Sequence, residues 1–204
     1  MIAIPSFDRW RAVQPTTLLA VLTEDEEIHD LVALKENSLP LWIQRLGVPP
    51  GWQPQDLPDN AESPMARLTV HGSLGDGRWE AAETMNVFGY TGWPVFYDVY
   101  HHADGILRNL HAGGVVLKVL PVPRVERVAA VRSSGIATIG GRNVWVQHST
   151  YVVGSKRPHE SRLIVQNIFV DGESRSRLAG DVAWLSGAVY DGFVAAVFDK
   201  ERTA

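Results

Sequence analysis

The side chains best equipped for chemistry are histidines. His101 and His102 lie in a run with Asp98 and Asp104. On a helix Asp98 falls one turn from both, at i,i+3 and i,i+4, a spacing at which carboxylate and imidazole share a face. A metal centre needs further donors, and His111 is the neighbour of suitable type. The run therefore reads as a solvated helix edge with local ion pairs, and no metal ligand is assigned. His148 alternates onto the side of Val144, Val146 and Val152. A buried imidazole there needs a hydrogen-bond partner, which Thr150 or Gln166 would supply. It reads first as a satisfied structural histidine and second as a contact to a ligand or partner.

Nucleophilic and acid–base patterns are weaker. Ser149 follows His148, but adjacent strand residues point to opposite faces. Ser133-Ser134-Gly135 lies mid-strand, and no G-x-S-x-G elbow occurs. Glu80 and Glu83 are three apart on a strand and make a poor acid–base pair. The glycine-rich run Gly72–Gly77 lacks the Lys-Ser/Thr and the following helix of a phosphate loop, and reads as a hairpin turn. With no cysteine, thiolate nucleophiles, disulfides and Cys-ligated metals are excluded. No catalytic, cofactor-binding or metal residue is assigned, and a non-enzyme is expected.

Aromatic residues give a different lead. Seven tryptophans and five tyrosines are present, and Trp42, Trp52 and Trp93 fall in or beside loops and short helices. Such rings fill gaps between sheet and helices or, with arginine, mark places where partners dock. The polar loop Gly154–Glu160, with Lys156, Arg157 and His159, is a candidate rim. The partner-binding candidates are Trp93, Trp145, Tyr151, Arg157 and His148, on an exposed sheet face and its loops. A second reading places a small-ligand pocket or enzyme site between the sheet and the helix over 95–112, with His148, His101 and Asp98 as its polar groups.

The elements that must carry these residues follow from periodicity. Thr17–Leu22 is short and apolar and reads as a strand. Thr23 and Glu26 form a capping box for a helix carrying Ile28, Leu31 and Val32. A short helix starts near Ser38 with Pro40 in its first turn and Gly47 past its end. Val48–Pro64 holds five prolines and reads as a loop. Met65–His71 and Arg78–Tyr90 form a hairpin, with Gly75 and Gly77 free to take positive φ. Val95, Val99, Ala103, Ile106 and Leu110 predict one amphipathic helix over 95–112, ended by Gly113-Gly114. Val115–Val122 is apolar on both faces and reads as an inner strand.

Val128–Ile139, Arg142–Val153 and Arg162–Val170 read as a three-strand meander whose first turn is Gly140-Gly141. Neither face of these strands is wholly polar, so cover is expected on both sides. A long helix from Ser174 to Phe198 closes the chain, with Leu178, Val182, Leu185, Val189, Phe193 and Ala196 on one stripe and Trp184 beside it. The fold class is α+β: an antiparallel sheet of hairpin, helix, strand and meander, backed by the C-terminal helix.

Length and charge narrow the function. At 204 residues and 45% hydrophobic the chain suits one compact domain with a small appendage. A net charge of -4 leaves no basic footprint for nucleic acid. No apolar run near the N-terminus suits a signal peptide, and no stretch is read as a membrane span, so a cytoplasmic protein is expected.

Pro49-Pro50-Gly51-Trp52, the Ile139-Gly140-Gly141-Arg142 hairpin with its alternating strand through Tyr151, and the helix over Leu178–Phe193 together carry a resemblance. Over about residues 48–198 the chain resembles the Mog/PsbP-like fold and, within it, the actinobacterial LpqN-type proteins. The resemblance implies a Mog/PsbP-like domain over 48–204 preceded by an appendage over 1–47. It also implies a non-catalytic binding, adaptor or chaperone-like role toward a protein partner. Relatives of this fold bind small GTPases, sit in photosynthetic assemblies or accompany secreted effectors. LpqN-type proteins are usually lipidated at a cysteine behind a signal peptide, and this sequence shows neither.

Overall fold

The computed structural model describes residues 17–57, 64–75, 78–124, 127–155 and 157–202. Eight strands form a single sheet: β1 (His29–Ala33), β2 (Trp52–Pro54), β3 (Met65–Gly75), β4 (Arg78–Thr91), β5 (Gly113–Val119), β6 (Val128–Ile139), β7 (Arg142–Val153) and β8 (Ser161–Asp171). Their spatial order is β2-β3-β4-β8-β7-β6-β5, with β1 added to the end of β4. Every pairing is antiparallel. Among the described residues five α-helices accompany them: α1 (Leu18–Glu24), α2 (Leu41–Gln44), α3 (Phe96–His101), α4 (Gly105–Asn109) and α5 (Ala179–Arg202). The α+β architecture is as the sequence predicts.

The meander is the most regular part. Gly140 and Gly141 have φ of 59° and 78°, the positive values that a two-residue primed turn demands. From there β6 and β7 pair without a register shift from Ile139↔Arg142 to Val128↔Val153.

Both faces of the sheet are covered. On the first, α1, α3 and α4 bury Leu18, Leu22, Val99, Ala103, Ile106 and Leu107 against Val131, Val144, Val146 and Val152. On the second, α5 lays Val182, Leu185, Val189, Phe193 and Val197 against Val87, Tyr151, Ile164 and Ile168, with Ile43 of α2 beside them. The 4-3-4-4 spacing from Leu178 to Phe193 keeps one stripe toward the sheet. Residues 179–198 have the length and apolar composition of a membrane span, which corrects the expectation that no stretch approaches one. Here the apolar stripe is packed on strands.

Five further expectations are corrected. Thr17–Leu22 is helical and not extended: Thr17 caps α1 by accepting the Ala20 N–H at 3.3 Å. The segment predicted as a helix after the Thr23–Glu26 capping box contains strand β1, because pairing with β4 (His29↔Thr91, Val32↔Gly89) satisfies its backbone. The Thr23 hydroxyl is not a cap and donates to the Leu19 carbonyl at 2.8 Å. The single helix over 95–112 is broken into α3 and α4. Ser133 Oγ donates to the Ala103 carbonyl at 2.8 Å, drawing that carbonyl to the sheet while buried Gly105 opens the next turn. Finally, β5 is an edge strand exposed along its whole length, not an inner strand.

The described part of the first 47 residues is joined to the rest. It supplies β1 to the sheet and Leu18, Leu22, Ile28 and Ile43 to the core. Residues 76 and 77, where the sequence places the first hairpin turn, lie outside the described residues, as do residues 1–16.

Candidate functional site

Of the five partner-binding candidates, two are interior. Tyr151 is fully buried beneath Phe193, ring centroids 5.2 Å apart, and burial holds its phenol above the ordinary tyrosine range. His148 is buried on the opposite face. Its Nδ1 meets Asn167 Oδ1 at 2.7 Å and its Nε2 meets Thr150 Oγ1 at 3.1 Å. Asn167 in turn donates to Thr84 Oγ1 at 3.2 Å. Thr150 is the partner anticipated from the sequence; the other is Asn167 and not Gln166, whose side chain is on the far face. Both imidazole nitrogens are engaged, so His148 is a structural histidine. The sheet face expected to be exposed is covered by α5.

Burial pushes the His148 imidazole below the ordinary histidine range. Its folded-state pKa is thus lower than its unfolded one. The stability it contributes is full above about pH 6.5 and is lost as pH falls toward the folded value, because the unfolded chain takes the proton first. Urea denaturation from pH 7.5 down to 5 is expected to show wild-type stability falling more steeply than that of His148→Gln. Parallel curves would show that this imidazole is not held neutral.

Trp145 and Trp93 are half-buried. Trp145 lies under the Arg175 guanidinium, 5.0 Å from the ring centroid, and lines a groove of about 500 Å3 beside the β6–β7 turn. Two of the groove's charges pair with one another, Arg142 with Asp171. Trp93 packs edge-on to Phe96 at 5.4 Å, with Arg127 stacked 4.4 Å from its centroid. Arg157 is exposed and pairs with Glu160 at 3.6 Å. Lys156 lies outside the described residues.

Trp93 and Arg157 belong to one corner of the molecule. The loop after β7 is stitched to the end of β4: Gly92 bridges Ser155, Ser161 Oγ donates to the Gly92 carbonyl at 3.0 Å, and the His159 N–H donates to Thr91 Oγ1 at 2.9 Å. From this frame α3 projects. Only Val99 of its six residues is buried. Phe96 and Tyr100 form one outward row at i,i+4; Tyr97 and His101 form the next, stacked at 5.4 Å and 12°. Val95, Phe96, Tyr97 and Tyr100 are all exposed, Tyr97 to 68%. The result is an aromatic ridge beside the corner whose loop carries Arg157. Trp93 and Arg157 pointed to this corner; the ridge residues were missed because one helical stripe over 95–112 accounts only for Val95 and Val99. The signal was the aromatics at 96, 97 and 100, off that stripe.

The groups proposed for a ligand pocket do not converge. His101 is exposed on the ridge, whereas His148 is sealed inside the sheet by Asn167 and Thr150. Hydrophobic side chains of α3 and α4 fill the space between. Among the described residues no group of three or more His, Asp or Glu side chains is placed to hold a metal ion. Glu80 and Glu83 have separate partners: Glu80 pairs with His71 at 3.2 Å and Arg177 at 2.6 Å, and Glu83 with Arg67 at 3.1 Å.

Comparison with known proteins supports the fold. No protein-family model and no curated protein matches the chain. Among solved structures it is similar to LpqN of Mycobacterium tuberculosis, a protein described as involved in cell envelope biogenesis. The TM-score is 0.59 at 16% identity, covering 83% of this chain and 93% of the other. The chain therefore has the LpqN fold, as the sequence resemblance implied.

Proposed function

We propose that this protein is a non-catalytic binding domain, of adaptor or chaperone-like type, that engages a protein partner on the α3 ridge. The observation that carries the proposal is the outward display of Phe96, Tyr97 and Tyr100 on one short helix held by a rigid frame. Large amphipathic rings with arginine nearby are the composition of binding hot spots. Scattered exposed apolar residues need no explanation, but contiguous ones do. LpqN's involvement in envelope biogenesis is compatible with such a role and does not identify the partner.

The test is a comparison of two immobilised baits in native lysate: wild type and a Tyr97→Ala/Tyr100→Ala double variant. The partner is whatever the first retains and the second loses. Its affinity, measured with purified components, should drop by roughly 30-fold, corresponding to about 2 kcal/mol for a hot spot. The melting temperature should stay within a degree or two, because both rings are exposed. Equal capture of the same proteins by both baits would rule the ridge out.

A further inference from the structure

The edge at β5, beyond which no strand lies among the described residues, carries an inference independent of the ridge. All seven residues of Gly113–Val119 are exposed, and Val115, Val116, Leu117 and Val119 are aliphatic. Natural sheets blunt such edges with proline, bulges or several charges, because an open edge is a template for another strand. From Val115 to Val119 there is no proline and one charge, Lys118. The register with β6 is continuous from Val116 to Val119; the irregularity lies between Gly113 and Val116, a span in which Gly114 has φ of 62°.

The direction of the backbone groups is fixed. The Leu120 N–H donates to the Ala130 carbonyl at 2.9 Å, in register with the β5–β6 ladder. By alternation Lys118 and Val116 also point their backbone groups at β6. Val115, Leu117 and Val119 then point theirs outward. We propose that β5 pairs antiparallel with β5 of a second copy of this chain, about a two-fold axis at Leu117, giving a sheet continuous across a homodimer.

This register uses every outward group. Leu117 faces its own mate and Val115 faces the second copy's Val119, each pair exchanging two backbone bonds. Val115, Leu117 and Val119 share one face, so they and their mates form an unbroken aliphatic row. On the other face Lys118 lies opposite the second copy's Val116. The two like charges never oppose each other, and each ammonium reaches water over an aliphatic stem. A foreign strand would have to be apolar on both faces and in this phase; a second β5 is so by construction. Seven residues at an edge form a small interface, so a concentration-dependent equilibrium is expected in place of a permanent dimer.

The absence of cysteine makes the test clean. A hydrogen-bonded antiparallel pair sets its Cα atoms about 5.5 Å apart, inside the range a disulfide spans. Under mild oxidation Leu117→Cys should form a covalent dimer at least about tenfold faster than Val116→Cys, whose mates are offset by two residues. Wild type should show a rising dimer fraction with concentration in sedimentation velocity, and Leu117→Lys should remain a monomer with unchanged circular dichroism. Wild type that stays monomeric at every concentration overturns the proposal without any variant. Equal or faster cross-linking at position 116 overturns it too.

Discussion

Replacing Glu83 by alanine is expected to remove about 3–5 kcal/mol of folding stability, lowering the melting temperature by about 10 °C in a chain of this size. Glu83 is 1% exposed and sits between the sheet and α5. Its Oε2 accepts from Arg67 Nε and Thr69 Oγ1, each at 3.1 Å, and its Oε1 accepts from Gln166 Nε2 at 2.6 Å. Alanine would leave a largely buried guanidinium without its counter-charge, the Thr69 hydroxyl without its acceptor and the Gln166 amide with only the Leu185 carbonyl, the costly side of burying polar groups. Arg67 also donates to the Leu46 and Gly47 carbonyls at 2.7 and 2.5 Å, so the disturbance would reach the end of α2. Glu83→Gln keeps an acceptor for Arg67 and should cost less than alanine. Exposed Arg157, paired with Glu160, is the control: Arg157→Ala should change stability by under about 1 kcal/mol. Urea denaturation of the three variants measures all of this. A Glu83→Ala protein as stable as wild type would show that the carboxylate is not a structural keystone.

The parts of this fold that are legible in the sequence are those whose signal is local. Val128–Ile139 and Arg142–Val153 are legible because two runs of strand type meet at a Gly-Gly turn whose backbone few other residues would adopt. The closing helix was legible from its apolar stripe. Misreadings arise where a distant partner decides. Residues 28–35 follow a capping-box pattern at Thr23 and Glu26, yet the end of β4 offers a ladder that outweighs it. Val115–Val119 is as apolar as an inner strand, and only the topology shows that nothing among the described strands lies beyond it. Ser133 interrupts the helix over 95–112 from 30 residues away.

The candidate site was half legible for a related reason. Tyrosine is amphipathic, and composition does not separate a ring that seals a core from one that meets a partner. Tyr151 and Tyr97 look alike in sequence; the first lies under Phe193 and the second faces water. His148 was placed on the correct face with one correct partner. Its sealing by Asn167 required the β7–β8 register, in which His148 lies opposite Asn167. Polar side chains near the interior thus divide into two groups. Those on the sheet anchor helices and strands. Those displayed on α3 have no such duty, and that separation lets the ridge change without disturbing the scaffold.

Truncating Phe193 to alanine should be the most damaging change on α5, at about 3–5 kcal/mol. The ring is 2% exposed and packs at 48° to Tyr151. It belongs to a cluster that also holds Met85 and Val87 of β4, Tyr151 of β7, Ile164 of β8 and Ile43 of α2. Removing it opens a cavity at the crossing point of helix and sheet, and the polar bonds alongside prevent easy collapse. Arg132 donates to the Ser186 carbonyl at 3.3 Å, Gln166 to the Leu185 carbonyl at 3.3 Å, and Tyr190 to the Pro121 carbonyl at 2.6 Å. These bonds fix the height of α5 above the strands, so the void persists and its full cost is felt. Phe193→Leu should recover most of the loss, since it restores most of the volume. Trp184→Ala is the matched control: a larger ring on the same helix, 46% exposed, whose removal should cost under about 1 kcal/mol. Thermal denaturation of the three variants decides between a helix that is integral to the core and one resting loosely upon it. In the second case Phe193→Ala and Trp184→Ala would melt within a degree of each other.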